Sequence, residues 1–323
     1  MTEGTRRYAA YGLTIEANQP LAGARASAAA TADVTIEFRT EPSGSTGPVH
    51  AAGADGSGWY AVDALDGGGR RYRLGADGGA REWSMEVSGD GARMTVRRTP
   101  RSDVADVTAF VMTRGLGACL AAMGQPVLHG CALDPGDGAV VVAGPSGAGK
   151  STIAATAVRL GWELLTDDIA VLGVREARVH VERGLPRMRL DAPTARAAGW
   201  NPVDLQRVFV DPRLPDKRWV ALEEGEEPTK DDARPLEAVY VLGARRAGPA
   251  LLERVPPARA LPLLLAHGYA ADLLARDRRA GLLPFWARLA QDVPVTHVHA
   301  ADDLAGLPAL LDGLREATAA RAV

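Results

Sequence analysis

Gly144-Pro145-Ser146-Gly147-Ala148-Gly149-Lys150-Ser151-Thr152 fits G-x-x-x-x-G-K-[ST], the pattern of a phosphate-binding P-loop. A phosphate needs bare backbone N–H groups at close range. Gly144, Gly147 and Gly149 let the main chain curl tightly and put no Cβ in the way. Lys150 supplies a point charge for the β- and γ-phosphates, and the Ser151 hydroxyl suits Mg²⁺. The flanks agree with the motif. Ala139-Val140-Val141-Val142-Ala143 is a short apolar run that reads as a buried strand. Downstream, Ile153, Ala157 and Leu160 recur at i, i+4 and i+7, which predicts a helix over Thr152–Leu160. Strand, glycine loop and helix together outweigh a chance turn in a chain with 36 glycines.

A P-loop alone says nucleoside triphosphate and does not separate an ATPase, a GTPase and a kinase. Its partners must. Asp167-Asp168 closes the short apolar segment 162–166 just beyond the predicted helix. An acidic residue at a strand end beside a P-loop is where Mg²⁺ is held. A second, adjacent carboxylate can point elsewhere and accept a proton from an incoming hydroxyl, or merely cap a turn. His129-Gly130, on the strand before the loop, offers an imidazole to a carboxylate or phosphate, although a lone histidine on an apolar strand is also an ordinary core residue.

The rest of the chain sets bounds. A length of 323 residues suits two domains or one large one with an appendage. With 46% hydrophobic residues it can bury a sizeable core, and a net charge of −3 gives no reason to expect nucleic-acid binding. Cys119 and Cys131 lack disulfide or metal-ligand spacing and read as buried free thiols. The N-terminal residues have no apolar signal core, and the apolar stretch near 107–123 is interrupted by Arg114, Gly115 and Gly117. A cytoplasmic protein without a membrane partner is expected.

Residues 1–102 read as a small β-rich domain, structural or substrate-docking, with turn-rich segments near 41–47, 53–58 and 66–69. Trp83–Val87 and Ala92–Val96 predict a hairpin around Gly89-Asp90-Gly91. Residues 103–323 read as the P-loop domain, beginning with a helix over 103–123 and ending in helices over 257–276 and 304–320. Strands are expected at 126–133, 162–166, 169–174, 177–181, 219–222 and 238–242. The acidic run at 223–228 reads as a solvated face.

Three segments occur in order: Leu128-His129-Gly130-Cys131-Ala132-Leu133, the P-loop, and Arg159-Leu160-Gly161-Trp162-Glu163-Leu164-Leu165-Thr166-Asp167-Asp168. Over 126–174 this order and spacing resemble the catalytic domain of the HPr kinase/phosphorylase family. The resemblance implies an α/β fold akin to phosphoenolpyruvate carboxykinase, with a small β-rich N-terminal domain here in place of the usual regulatory one. It implies ATP and Mg²⁺ as cofactors and a phosphoserine on a protein as product. Asp168 would be the base, assisted by His129. Ser151 and Asp167 would hold the metal, and Lys150 the phosphates. The family's later glutamate motif has only a partial echo in Glu182-Arg183-Gly184-Leu185-Pro186. The layout, including Tyr11-Gly12-Leu13, the 184–190 segment and Asp216–Val220, looks more like the HPr-kinase-like proteins of peptide natural-product clusters, among them lasso-peptide precursor kinases. The implied partner is a peptide or protein bearing a serine, and a homo-oligomer is compatible with it. Arg183, Lys217 and Arg218 are further cations for the transferring phosphoryl group, or ordinary surface charges. A small-molecule hydroxyl kinase and a non-catalytic ATP-binding regulator are the alternatives.

Overall fold

The computed structural model describes residues 4–42, 60–74, 82–136, 138–212, 214–222, 232–269 and 276–319. The turns expected at 43–47 and 53–58, Trp59, Asp137 and the acidic run 223–228 lie outside them. The chain divides into two units. The first is Met1–Gln125 with Val208–Pro215 and Asp272–Ala280; the second is Pro126–Arg207 with Asp216–Ala271 and Gly281–Val323.

Eight described strands form the sheet of the first unit: β1 (Arg6–Ala10), β2 (Leu13–Ala17), β3 (Arg25–Ala26), β4 (Val34–Thr40), β5 (Tyr60–Ala64), β6 (Arg70–Leu74), β7 (Trp83–Val87) and β8 (Arg93–Arg98). Their order is β3-β1-β2-β4-β8-β7-β6-β5. Alternation decides the faces: Val34, Ile36 and Phe38 of β4 are buried, and Thr35 and Glu37 are not. The β7–β8 hairpin forms where the sequence places it, with Gly91 at φ +75° and the Ser88 N–H donating to Arg93 O.

One continuous helical segment follows: α1 (Val104–Phe110), a π-turn (Val111–Gly115) and α2 (Leu116–Ala122). It groups with the first unit, so the division falls after this helix and not at residue 102. Gly115 and Gly117 do not break it. A Cβ at Gly115 would stand 2.9 Å from Met94 Cε and 3.1 Å from Met85 Sδ, so glycine is what lets the helix settle on β7 and β8. Its length and composition would suit a membrane span, but 78% of the apolar window is buried, as in a core helix.

The second unit carries β9 (Val127–Asp134), β10 (Ala139–Ala143), β11 (Glu163–Thr166), β12 (Ile169–Arg175), β13 (Arg178–Val181), β16 (Arg234–Leu242), β17 (Leu251–Val255) and β18 (Val295–His299) in one sheet. A separate two-stranded ribbon joins β14 (Arg187–Asp191) to β15 (Lys217–Ala221). β9 and β10 form the predicted hairpin, with Val142 opposite Cys131. β10, β16 and β18 run parallel side by side. Both faces of β10 are covered: Val140 and Val142 enter one apolar core, and Ala139, Val141 and Ala143 another. A strand buried on both sides has no polar face, which is why its sequence is uniformly apolar.

The helices are α3 (Lys150–Arg159), α4 (Ala192–Ala197), α5 (Pro257–Ala266), α6 (Arg276–Asp292) and α7 (Leu307–Ala319). α3 buries Ile153, Ala154, Ala155 and Ala157, whereas Leu160 caps the helix and is 46% exposed, off the predicted face. Small alanines on that face let α3 approach α7 and β9. The Tyr240 hydroxyl donates to Leu314 O at 2.8 Å and meets Thr318 Oγ1, pinning α7 to β16. The expectation of helices alone after residue 257 is corrected by β18. Its sequence, Val295-Thr296-His297-Val298-His299, shows no apolar alternation, because Val295 and Val298 enter opposite cores, and parallel pairing to β16 fixes it as a strand.

Candidate functional site

The P-loop sits between β10 and α3. Gly144 has φ +151°, Gly147 +79° and Gly149 +104°. A Cβ at Gly144 would lie 3.0 Å from Leu242 Cβ on β16, so the tight turn and the close neighbour strand both require glycine there. Pro145, Ser146 and Gly147 are exposed, while Ala148, Gly149, Lys150, Ser151 and Thr152 are half-buried at the start of α3. The N-terminal end of a helix favours an anion, because its first N–H groups lack intrahelical acceptors. Lys150 Nζ donates to Gly144 O at 2.8 Å and Pro145 O at 3.0 Å, so the ammonium lies folded over its own loop. Burial pulls its pKa below the usual lysine value, opposed chiefly by the charge of Asp168.

The Cys131 thiol donates to Lys150 O at 3.8 Å, which places the first turn of α3 over β9. The next residue on β9 is Gly130, and its role is steric. A Cβ there would stand 2.5 Å from Val142 O, a backbone atom that cannot move aside within a paired strand. Both cysteines are free and buried, as expected, and burial pushes each thiol up to about 12, far from thiolate chemistry.

Asp167 and Asp168 lie where the chain passes from β11 to β12, both of which pair with β9. Asp168 adopts φ +71°, and the Ile169 N–H donates to Asp167 O at 2.9 Å across it. This left-handed, three-residue turn is strained for a residue with a Cβ, and aspartate tolerates it better than most. The turn lets adjacent carboxylates find different partners. Asp167 Oδ2 accepts the backbone N–H of Arg189 at 3.0 Å. Asp168 Oδ2 pairs with Arg189 Nη2 at 2.8 Å, and Asp168 Oδ1 lies 3.3 Å from His129 Nε2.

These surroundings drive the two acids in opposite directions. Burial raises Asp167; Arg189 offsets this in part, and the charge on Asp168 adds to it. Burial would raise Asp168 too, but the Arg189 guanidinium and then His129 outweigh it and hold the carboxyl well below the usual range. Asp167 is therefore an undercompensated carboxylate suited to a cation, and Asp168 is one already neutralised by its neighbours.

The ribbon sorts the three further cations. Met188 and Leu190 of β14 and Val220 of β15 are in the core, so Arg189 and, by register with Asp191, Lys217 share the opposite face. Lys217 is within electrostatic reach of Asp167, Asp168 and Lys150. Arg218 has the other parity and is paired with Asp216, which Arg207 also approaches at 3.5 Å. Arg183 Nη1 pairs with Glu163 Oε1 at 2.7 Å, at the end of β11 remote from Asp167. Glu182, the partial echo of a metal-ligand motif, accepts Arg175 Nη2 at 2.8 Å and 2.9 Å. The expected group of His129, Lys150, Asp167, Asp168 and Lys217 thus gathers in one place, and Arg183 and Arg218 are engaged elsewhere.

Three residues at the site went unread in the sequence. Arg189 is the ion-pair partner of Asp168. His267 accepts the His129 N–H through its carbonyl at 2.8 Å, and its ring is held below the usual imidazole range by burial, then by Lys150 and His129. Arg245, in the turn after β16, brings Nη2 to 3.1 Å from where a Gly149 Cβ would be.

No family model matches the sequence. No curated protein matches it. Among solved structures it is similar to the HPr(Ser) kinase/phosphatase from Coxiella burnetii, with 10% identity and a TM-score of 0.28 over 58% of this chain and 95% of that one. The fold itself is mixed α/β with more than one sheet.

Proposed function

We propose that this chain is a Mg²⁺-dependent kinase that transfers the γ-phosphoryl group of ATP to a serine-type hydroxyl of a peptide or protein. The observation that carries this reading is the pair Asp167–Asp168, adjacent in sequence, opposite in electrostatic environment, and within reach of the P-loop lysine. A protein that only binds nucleotide has no use for a second, charge-compensated carboxylate. Ser151 and Asp167 are the residues that would hold Mg²⁺; the undercompensated carboxyl of Asp167 fits a cation. Bound there, the ion would neutralise charge on the phosphates.

The chain's own groups do the rest. The loop's backbone N–H groups, Pro145 excepted, and the Lys150 ammonium would receive phosphate oxygens, the ammonium turning away from Gly144 O and Pro145 O to do so. Asp168, ionised throughout the ordinary pH range, orients the acceptor hydroxyl and takes its proton, with His129 against the other oxygen. A weakly basic carboxylate suits this reaction. In a loose phosphoryl-transfer transition state the hydroxyl loses its proton late, so placement matters more than basicity. Lys217 and Arg245 are the cations best placed to meet the transferring group. A ribosomal peptide precursor of the lasso type as acceptor follows from the resemblance in layout alone.

Mass spectrometry of a candidate precursor peptide incubated with the protein, ATP and Mg²⁺ tests the reading. A gain of one phosphate on serine is expected. An unmodified peptide, with ATP bound but a small alcohol phosphorylated instead, would replace it with a small-molecule kinase. ATP binding without turnover on any hydroxyl would replace it with a regulator.

The Arg189 pair makes a further prediction about pH. Arg189→Gln removes the charge that depresses Asp168, so the Asp168 carboxyl should rise. Activity requires the carboxylate and is lost as pH falls through its pKa. The wild-type carboxyl stays ionised as pH falls, so an acid limb should enter the rate profile at higher pH in the variant than in the wild type. Superimposable wild-type and variant profiles would remove Asp168 from the proton-transfer step.

A further inference from the structure

Among the described residues outside this site, one cluster has the donor chemistry of a metal centre. His297 and His299 are i, i+2 residues of β18, so both imidazoles project from the same face. Glu253 of β17 is the direct cross-strand partner of His297. One donor atom from each of the three lies within 4.8 Å of the others. The imidazole centroids are 4.6 Å apart, and His299 Nε2 is 3.9 Å from Glu253 Oε2.

Two independent features show that the cluster is arranged. His299 Nδ1 lies 3.0 Å from Ala244 O, a carbonyl that can only accept. That bond puts the proton on Nδ1 and leaves the Nε2 lone pair directed towards Glu253. An outer-shell carbonyl that fixes the tautomer is the usual companion of a metal-binding histidine. Gly243 supplies the second feature. A Cβ there would stand 2.6 Å from His297 Nε2 and 3.0 Å from His299 Cε1, so glycine opens the space that both rings occupy.

We infer that Glu253, His297 and His299 form a binding site for a divalent transition metal of the Zn²⁺ class. Two imidazoles and a carboxylate suit zinc, whereas magnesium and calcium take oxygen. Three protein ligands leave a fourth tetrahedral position to water. Ligand atoms around such an ion are about 3.3–3.6 Å apart for bonds near 2.1 Å, so the three groups must draw in slightly. Glu253, with 56% of its side chain exposed, is free to rotate towards the histidines. This site uses no residue of the phosphate loop or the aspartate pair, and the inference does not rest on the kinase reading.

The test is titration of the chelator-treated full chain with Zn²⁺ against a chromophoric competitor, with Co²⁺ absorption reporting the coordination geometry. One equivalent of Zn²⁺ is expected, with a four-coordinate Co²⁺ spectrum. Glu253→Gln and His299→Ala should each weaken Zn²⁺ by more than the roughly 10–100-fold typical of losing an outer-shell partner. Gly243→Ala should weaken it with all three ligands intact, and Asp167→Asn should leave it unchanged. Zn²⁺ should raise the melting temperature of the wild type and not that of Glu253→Gln, a change on an exposed side chain that leaves the fold alone. No saturable binding by the wild type at micromolar Zn²⁺ overturns the proposal. So does binding that survives both Glu253→Gln and His299→Ala, because the ion then sits elsewhere.

Discussion

Asp168→Asn is expected to lower the rate of phosphoryl transfer by about 10²–10⁴, the range for removing a positioned proton acceptor, while ATP affinity stays nearly unchanged. The two effects separate because Asp168 faces His129 and Arg189, whereas the proposed nucleotide contacts belong to the loop 144–152 and Lys150. An amide still fills the space and can still meet His129, but it cannot carry a proton away. It also cannot neutralise Arg189. With the Asp168 charge gone, Asp167 loses a neighbour that raises it and should fall in pKa. Turnover by mass spectrometry, ATP binding by calorimetry and a thermal melt together distinguish lost chemistry from lost structure. Wild-type turnover in the variant would sink the base assignment while leaving the P-loop reading intact.

Lys150→Ala should act on binding and turnover together. The ammonium spans Gly144 O and Pro145 O in the structure described, so it holds the loop's curvature as well as offering charge. Losing a charged hydrogen-bond partner costs about 1.5–3 kcal/mol, which is roughly 10- to 150-fold in ATP affinity. Losing a donor aimed at developing negative charge should reduce kcat by a further factor of about 10²–10³. Lys150→Arg, which restores charge in a larger, planar group, should recover binding better than turnover. Calorimetry and steady-state kinetics on the three proteins provide the check. Unchanged affinity in Lys150→Ala would count against nucleotide binding at this loop.

Local chemistry made much of the site legible in the sequence. The P-loop strand, its glycines and the following helix are coded within residues 139–159, and each has a short-range physical reason. The β9–β10 hairpin and the Asp167–Asp168 turn are similarly local. Arg189 escaped because its meaning depends on a ribbon partner 30 residues away in sequence: only when Trp219 is paired opposite it does its face become clear. A cue was present. In Arg187-Met188-Arg189-Leu190 the apolar residues alternate with arginines, and a strand whose one face is core must aim those arginines at something. Arg187 does so by stacking over Trp219 at 3.7 Å, and Arg189 by meeting Asp168. β18 and β17 escaped for a related reason. Neither reads clearly as a strand alone; parallel pairing to a distant β16 decides β18, and antiparallel pairing to β18 decides β17.

Arg189 serves the two aspartates through different parts of itself, and this bears on how the site can diversify. Asp167 is held by a main-chain N–H, which every residue except proline provides. Asp168 is held by a side chain, which any substitution alters. Drift at position 189 would therefore keep the hydrogen bond to Asp167 while changing the charge that both carboxyls feel, Asp168 through its ion pair and Asp167 at longer range. Proline alone would strike both at once, and it is the substitution that purifying selection should tolerate least.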